Sequence, residues 1–222
     1  MFDIPLERLM DKEDLDKVTV RDGQIPLFGD KTEEICRTWL RWFDHYRSGC
    51  SPGFHYRSNF DLEENLQLAL KSVLVRTQMG AIAKKLNLGQ GKALELYAGI
   101  GIPAVAYNLL SNHPAMAVDI NSTFVDEGKQ LFEGVDYCPA NVQEFLPKAE
   151  VGENEVLLVA YGTEIRKTLD FMFEHKLKGG VFLDQFYNFH RLGYKPWMNA
   201  QGYSVLFSDI DVNSTIMSVK RR

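Results

Sequence analysis

Short apolar segments alternate with helical ones from residue 92 to residue 184. The apolar segments, which we expect to be strands, span 92–97, 115–119, 135–138, 155–160 and 179–184. Between them, apolar residues recur at helical spacing over 103–112, 122–133, 141–148 and 164–176. Strands and helices that alternate in this way form a parallel sheet with helices on both faces, linked by right-handed crossovers. Two strand-like segments without a helix between them, 203–207 and 212–219, then predict a terminal hairpin.

The composition is that of one ordinary globular protein of 222 residues, 45% apolar and 25% charged. Its formal net charge of −5 disfavours a surface that neutralises phosphates, so nucleic acid is an unlikely partner. No apolar stretch is long enough to span a bilayer, and the first residues do not resemble a signal peptide. Three scattered cysteines show no metal-ligand spacing. We therefore expect a cytoplasmic protein without a metal, compatible with a homodimer.

Two helical patterns precede the alternating region, at Thr32–Arg47 and Asp61–Leu86. They predict an N-terminal helical cap over residues 1–89, ahead of a cofactor-binding domain over residues 90–222. We expect Gly80 to weaken or divide the second helix, because glycine is a poor helix former. Arg76 lies among apolar neighbours in that helix. It could hold a carboxylate, but a surface ion pair is the favoured interpretation.

A strand, a glycine turn and the start of a helix follow one another in segment 94–103, Leu-Glu-Leu-Tyr-Ala-Gly-Ile-Gly-Ile-Pro. Glu95 lies at the end of the strand, and Gly99 and Gly101 form the turn. Glycine permits the turn conformation and lets a ligand approach the backbone closely. Asp119 ends the next strand, where an acid can accept hydrogen bonds from ribose hydroxyls. The pattern predicts a nucleoside-type cofactor at the carboxyl edge of the sheet.

This arrangement resembles the class I S-adenosylmethionine-dependent methyltransferases, over about residues 90–220. The resemblance implies an α/β fold with a seven-stranded, mostly parallel sheet, helices on both faces and a C-terminal antiparallel hairpin. Glu95 and the two glycines match the first motif of the family, which implies that Glu95 lies near the methionine ammonium group. Tyr97 departs from the motif, because many members have glycine there. With Ala98 it instead matches the aromatic-Ala-Gly-Ile-Gly variant of several nucleic-acid methyltransferases.

The same resemblance implies cofactor contacts at the ends of the following strands. Asp119 would hold the ribose hydroxyls, and Ile120 would pack on the adenine. Asn141 would hold the adenine amino group, and Val142 would supply a backbone contact. Tyr161, after the fourth strand, would meet the methionine moiety and the substrate. From the residues alone, a plain strand–helix turn and helix-capping roles for Asp119 and Asn141 stay open.

A nicotinamide dinucleotide is the competing cofactor, since segment 99–104 satisfies G-x-G-x-x-A and Asp119 follows at a suitable distance. Three features favour S-adenosylmethionine. Glu95 would repel a pyrophosphate, and a terminal hairpin is foreign to the six-stranded parallel dinucleotide fold. A large helical segment also precedes the motif.

The acceptor is predicted mainly from motifs that the sequence lacks. Segment 159–162, Val-Ala-Tyr-Gly, is not the Asp/Asn-Pro-Pro-Tyr signature of amino-group nucleic-acid methyltransferases, and no Pro-Cys nucleophile is present. We therefore expect methylation of a small molecule. Segment 54–60, Phe-His-Tyr-Arg-Ser-Asn-Phe, could be an aromatic lid over the sulfonium or a plain surface loop. Tyr161, Tyr56 and His55 are the candidate catalytic residues.

Two other functions stay open for the same fold. Some relatives attack the aminocarboxypropyl arm of S-adenosylmethionine and release methylthioadenosine, as lyases, cyclases such as azetidine-2-carboxylate synthase, or aminocarboxypropyl transferases. The missing acceptor motifs and the aromatic segment would suit such an enclosed reaction. A non-enzymatic binding module that uses the fold as a scaffold is the third interpretation.

Overall fold

The computed structural model describes eight segments of the chain, which are residues 17–20, 23–26, 31–47, 62–88, 91–161, 165–185, 193–209 and 214–222. The candidate catalytic residues Tyr56 and His55 lie outside the described residues, and so does the rest of the lid segment 54–60. Their roles stay predictions.

One sheet of nine strands runs through the described residues, in the order β2-β1-β8-β9-β7-β6-β3-β4-β5. In chain order the strands are β1 Lys17–Val20, β2 Gly23–Pro26, β3 Ala93–Leu96, β4 Ala115–Asp119, β5 Val135–Pro139, β6 Val156–Ala160, β7 Gly179–Gln185, β8 Tyr203–Asp209 and β9 Ser214–Arg221. Strands β3 to β7 pair in parallel. Strand β9 lies between β7 and β8 and is antiparallel to both. Strands β3 to β9 thus confirm the predicted seven-stranded sheet and its terminal antiparallel pair.

The hairpin β1–β2 is an element that the sequence analysis missed, because it assigned these residues to a helical cap. The hairpin extends the sheet beyond β8, where Val20 pairs with Ser208. A signal for it was present. The dipeptide Asp22-Gly23 stands between Val20 and Ile25, and Asp-Gly between β-branched residues is typical of a hairpin turn, although Gly23 itself already pairs with Val20 as the first residue of β2.

Helices cover both faces of the sheet, as the strand–helix alternation predicts. They are α1 Thr32–Arg47, α2 Leu62–Lys85, α3 Ile102–Ser111, α4 Ser122–Leu131, α5 Val142–Phe145, α6 Ile165–Glu174 and α7 Tyr194–Ala200, with a 3-10 turn at Leu146–Lys148 after α5. Helices α1 to α4 pack on one face and form the first apolar cluster with strand residues such as Ala93 and Leu158. Helices α5 to α7 form the second apolar cluster on the other face, with Leu157 and Val159. Successive strand residues therefore alternate between the two clusters.

The N-terminal helices share the core of the alternating region. Trp39 and Trp42 of α1 are fully buried, as is Met79 of α2, and all three belong to the first apolar cluster. The Trp39 ring meets Phe132, just after α4, edge-on with 5.6 Å between ring centroids. A division of the chain at residues 89 and 90 into a cap and a cofactor-binding domain stays a prediction.

Gly80 marks the place where α2 lies directly against α3. The helix is continuous through this residue, so the glycine does not divide it. A Cβ at residue 80 would lie 2.6 Å from the carbonyl oxygen of Pro103 and 2.6 Å from the backbone nitrogen of Tyr107. Since both atoms belong to the backbone of α3, a side chain here would push the helices apart.

We expect Gly80→Ala to lower the free energy of unfolding by about 1–3 kcal/mol, the usual cost of overpacking. The higher helix propensity of alanine, worth about 1 kcal/mol, offsets only part of that loss. Urea unfolding measures the change. Gly152→Ala is the matched control, because a Cβ there meets no atom within 4 Å. Equal stability of both variants and the parent would contradict the close contact of the two helices.

Candidate cofactor site

The predicted site residues of the sheet lie where β3, β4, β5 and β6 end. Because these strands are parallel and adjacent, their carboxyl ends meet at one edge of the sheet. Asp119, the last residue of β4, pairs with Pro139, the last residue of β5. Open α/β sheets bind ligands in the crevice at this edge, where the strand order reverses. Here the reversal falls between β3 and β6.

The glycine turn after β3 is held by the backbone of its neighbours. Ala98 donates to the carbonyl of Val118 at 3.1 Å, and Gly101 donates to the carbonyl of Ala98 at 3.0 Å. Gly99 and Gly101 have φ values of 58° and 82°, in the left-handed region that favours glycine. A Cβ on Gly101 would lie 3.1 Å from the Tyr137 ring, whereas one on Gly99 would meet nothing within 4 Å. The turn is therefore packed at Gly101 and open at Gly99.

Asp119 ties the end of β4 to the glycine turn. Its Oδ2 accepts from the backbone N–H of Gly99 at 2.7 Å, and its Oδ1 accepts from the N–H of Asn121 at 2.8 Å. The cap of α4 is the Asn121 side chain, which accepts from the Thr123 N–H at 3.0 Å. Asp119 thus faces the turn and does not cap the helix. Beside it, Ile120 exposes 71% of its surface, unusual for a large apolar side chain and suited to an apolar ligand face.

Asn141 and Val142 stand at the start of α5, next to the end of β5. The Oδ1 of Asn141 caps this helix by accepting from the Gln143 N–H at 2.9 Å. The side chain of Val142 is buried in the second apolar cluster. Its N–H is the first of the helix and has no acceptor within it, which leaves a backbone donor at the sheet edge. The helix-capping interpretation of Asn141 is therefore realised in the structure.

Glu95 is buried between the sheet and α3. Its neighbours on the strand, Leu94 and Leu96, belong to the second apolar cluster, so its own side chain points to the opposite face. There its Oε2 accepts from the N–H of Ala104 at 2.8 Å. Burial raises the pKa of Glu95 to about 8, against the opposing influence of the Ala104 N–H and of Arg76. The carboxyl therefore carries a proton at neutral pH for most of the time.

Glu95→Gln should change how stability depends on pH. Because the folded-state pKa of about 8 lies above the ordinary value of 4.5, Glu95 favours the folded state fully at low pH. That contribution is lost as the pH rises from about 4.5 to about 8. We expect glutamine, which keeps an acceptor for Ala104 and cannot ionise, to gain about 4 kcal/mol relative to the parent over this range, at about 1.4 kcal/mol per pKa unit.

The measurement is urea unfolding of Glu95→Gln and the parent at a series of pH values. The control is Glu133→Gln, because Glu133 is exposed after α4 and should leave the pH profile unchanged. Parallel profiles for Glu95→Gln and the parent would show that Glu95 ionises normally in the folded state.

Two tyrosines of the site hold a backbone conformation that is unfavourable for residues with a Cβ. Tyr97 and Tyr161 have φ values of 57° and 54°, which costs about 1–2 kcal/mol for a residue other than glycine. Such strain is concentrated at functional sites. The positive φ of Tyr97 also explains why many class I methyltransferases, the family that the sequence resembles, have glycine at this position.

The structure separates the side chains of these two tyrosines. Tyr97 packs against the second apolar cluster and lines a cleft of about 420 Å³ with residues of α6 such as Phe171. Neither Gly99 nor Asp119 lines that cleft. Tyr161 lies at the carboxyl end of β6 with 45% of its surface exposed, and its N–H donates to the Leu183 carbonyl at 2.9 Å. Of the two, Tyr161 is the one whose side chain is open at the sheet edge.

Arg76 of α2 lies close enough to the site for the charges of Glu95, Tyr161 and Asp119 to influence it, whereas the sequence analysis favoured a surface ion pair. Its Nε is buried and makes no hydrogen bond. Burial lowers the pKa of the guanidinium, while the charges of Glu95, Tyr161 and Asp119 raise it. Arg76 is thus near the carboxyl edge, and the surface ion pair that its sequence context favoured is not found among the described residues. Its apolar neighbours in the sequence were the signal for burial.

Two kinds of feature are absent from the described part of the chain. No group of three or more His, Cys, Asp or Glu residues there could hold a metal ion. None of the described helices is both long and apolar enough to cross a membrane.

Solved structures share this architecture although sequence comparison finds no relative. No protein-family model and no curated protein matches the sequence. Magnesium protoporphyrin IX methyltransferase from Synechocystis PCC 6803, with bound S-adenosylmethionine, superposes with a TM-score of 0.56 over 85% of this chain and 96% of its own, at 12% identity. The chain has the class I S-adenosylmethionine-dependent methyltransferase fold.

Two further structures of this methyltransferase fold carry different names. Precorrin-6y C5,15-methyltransferase from Geobacter metallireducens GS-15 has a TM-score of 0.52 over 76% of this chain and 94% of its own, at 13% identity. The 23S rRNA methyltransferase ErmE has a TM-score of 0.50 over 66% of this chain and 68% of its own, at 16% identity. The three names cover a porphyrin, a precorrin and a ribosomal RNA, so the methyltransferase fold does not by itself select an acceptor.

Proposed function

We propose that this chain binds S-adenosylmethionine at the carboxyl edge of β3, β4 and β5. The observation that carries the proposal is the hydrogen bond between Asp119 and Gly99, which holds an acid and an open glycine turn side by side. The methyltransferase fold supports it, since the strand order places these residues at the edge where ligands bind. A six-stranded parallel dinucleotide fold has no counterpart of the antiparallel β9.

The residues present fit the parts of this cofactor. Asp119 can accept hydrogen bonds from the ribose hydroxyls in place of its bond to Asn121. Exposed Ile120 offers an apolar face for the adenine. Asn141 and the N–H of Val142 offer polar contacts to the adenine edge. The open side of Gly99 lets the cofactor approach the backbone.

We infer that the reaction is methyl transfer to a small molecule. When bound, the cofactor supplies a methyl group on a sulfonium, and the task of the protein is then mostly to position the acceptor. Tyr161 is the described residue best placed for that task, because it is half-exposed at the end of β6. The acidic balance of the chain, with 30 Asp and Glu against 25 Lys and Arg, favours a small acceptor over a polynucleotide. Tyr56 and His55 stay predicted catalytic residues.

Product analysis tests this function. The protein is incubated with methyl-labelled S-adenosylmethionine alone, with the small-molecule fraction of a cell extract, or with RNA, and Asp119→Ala is the control with weakened cofactor binding. S-adenosylhomocysteine and label in a small molecule are the expected products. Methylthioadenosine without any acceptor would contradict methyl transfer and favour chemistry at the aminocarboxypropyl arm. Label that appears only in added RNA would contradict a small acceptor.

A further inference from the structure

Arg76 brings a positive charge near the carboxyl edge, and no bonded counter-ion is found for it among the described residues. Its Nε is buried and makes no hydrogen bond, although a buried guanidinium is costly unless its donors are paired. Three titratable side chains lie close enough for their charges to raise the pKa of Arg76, namely Glu95, Tyr161 and Asp119. A buried donor without a partner requires an explanation, and beside a ligand site an acceptor on the bound ligand provides one.

None of the nearby acids supplies that acceptor. Glu95 uses its Oε2 to hold the Ala104 N–H, and burial keeps its carboxyl protonated at neutral pH for most of the time. Asp119 uses one oxygen for the Gly99 N–H and the other for the Asn121 N–H. No ion pair of Arg76 is found within the described segments. Among the described residues no acceptor is found for the Arg76 Nε, and an anionic group of a bound ligand would supply one.

We propose that Arg76 binds the carboxylate at the amino-acid end of S-adenosylmethionine. A guanidinium presents parallel N–H donors that match the two oxygens of a carboxylate, which makes arginine the preferred partner for this group. The proposal rests on the proposed function, because it assigns one group of the same cofactor.

The test compares two ligands that differ in this group. S-adenosylhomocysteine carries the amino-acid end, whereas 5′-methylthioadenosine keeps the adenosine and the thioether and lacks it. Calorimetric dissociation constants are measured for both ligands with the parent, Arg76→Met and Arg76→Lys. We expect Arg76→Met to weaken S-adenosylhomocysteine about tenfold, as one charged hydrogen bond would, and to leave methylthioadenosine unchanged. Arg76→Lys should retain part of the affinity, since lysine keeps the positive charge but lacks the paired N–H donors of the guanidinium.

Arg166→Met is the control, because Arg166 lies on α6 at the opposite face, with its guanidinium stacked on Trp197. It should change neither dissociation constant. Unchanged S-adenosylhomocysteine affinity in Arg76→Met would overturn the proposal, as would an equal loss for both ligands. If the parent binds neither ligand, the proposed function itself fails, and the two failures are thereby distinguished.

Discussion

Asp119→Ala should weaken the binding of S-adenosylmethionine by about 1–3 kcal/mol, the range for lost hydrogen bonds to a charged group. The carboxylate is the acceptor that we assign to the ribose hydroxyls. It also orders the glycine turn through its 2.7 Å bond to the Gly99 N–H. The substitution therefore removes one ligand contact and also loosens the turn that contacts the ligand beside it. Calorimetric titration with S-adenosylhomocysteine measures the change.

The control for Asp119 is Asp126→Ala on α4. That acid is 66% exposed and makes only a weak ion pair, with 3.9 Å to Lys129, so its loss should not affect cofactor affinity. Asp119→Asn adds a second comparison, because it can still accept from the Gly99 N–H while losing the charge. If Asp119→Ala folds and binds with the affinity of the parent, Asp119 does not belong to the site.

Gly99→Ala should weaken cofactor binding by about 1–3 kcal/mol, the usual cost of overpacking. Its effect on the free energy of unfolding should be smaller. A Cβ here meets no protein atom within 4 Å, so the new methyl group points into the space that we assign to the cofactor. The left-handed φ of 58° adds a strain of about 1–2 kcal/mol to the folded state, independent of any ligand. Binding and stability must therefore be measured together.

Gly202→Ala is the control that separates the backbone strain of a left-handed residue from the loss of space for the cofactor. Gly202 also has a left-handed φ, 83°, and a Cβ there also meets nothing within 4 Å. It precedes β8 at the amino edge of the sheet, away from the site. We expect both variants to lose similar stability, and only Gly99→Ala to lose affinity. Equal affinities in the two variants would show that the cofactor does not approach Gly99.

The order of elements could be predicted from sequence because each boundary has a local cause. Gly101, with a left-handed φ, is the N-cap directly before α3, and Asn121 and Asn141 cap the two helices that follow. Such signals act within a few residues and are therefore readable along the chain. The ends of β4 and of helix α1 are found at the predicted residues, Asp119 and Arg47.

What could not be predicted depends on contacts between distant residues. The Nε of Arg76 is buried because α2 packs against the sheet and α3, and no local pattern shows which face of a mostly apolar helix meets the site. Gly80 is required by the backbone of α3, which lies more than 20 residues away in sequence. Tyr97 occupies a position where glycine is the expected residue, and its side chain turns to the second apolar cluster. The pairing of β1 with β8 joins opposite ends of the chain.

Calorimetric titration of the full chain with S-adenosylhomocysteine, and separately with a nicotinamide dinucleotide, tests the central claim most directly. The account predicts saturable binding of one S-adenosylhomocysteine per chain, lost in part on Asp119→Ala, and no binding of the dinucleotide. Binding of the dinucleotide in its place, or of neither ligand, would contradict it.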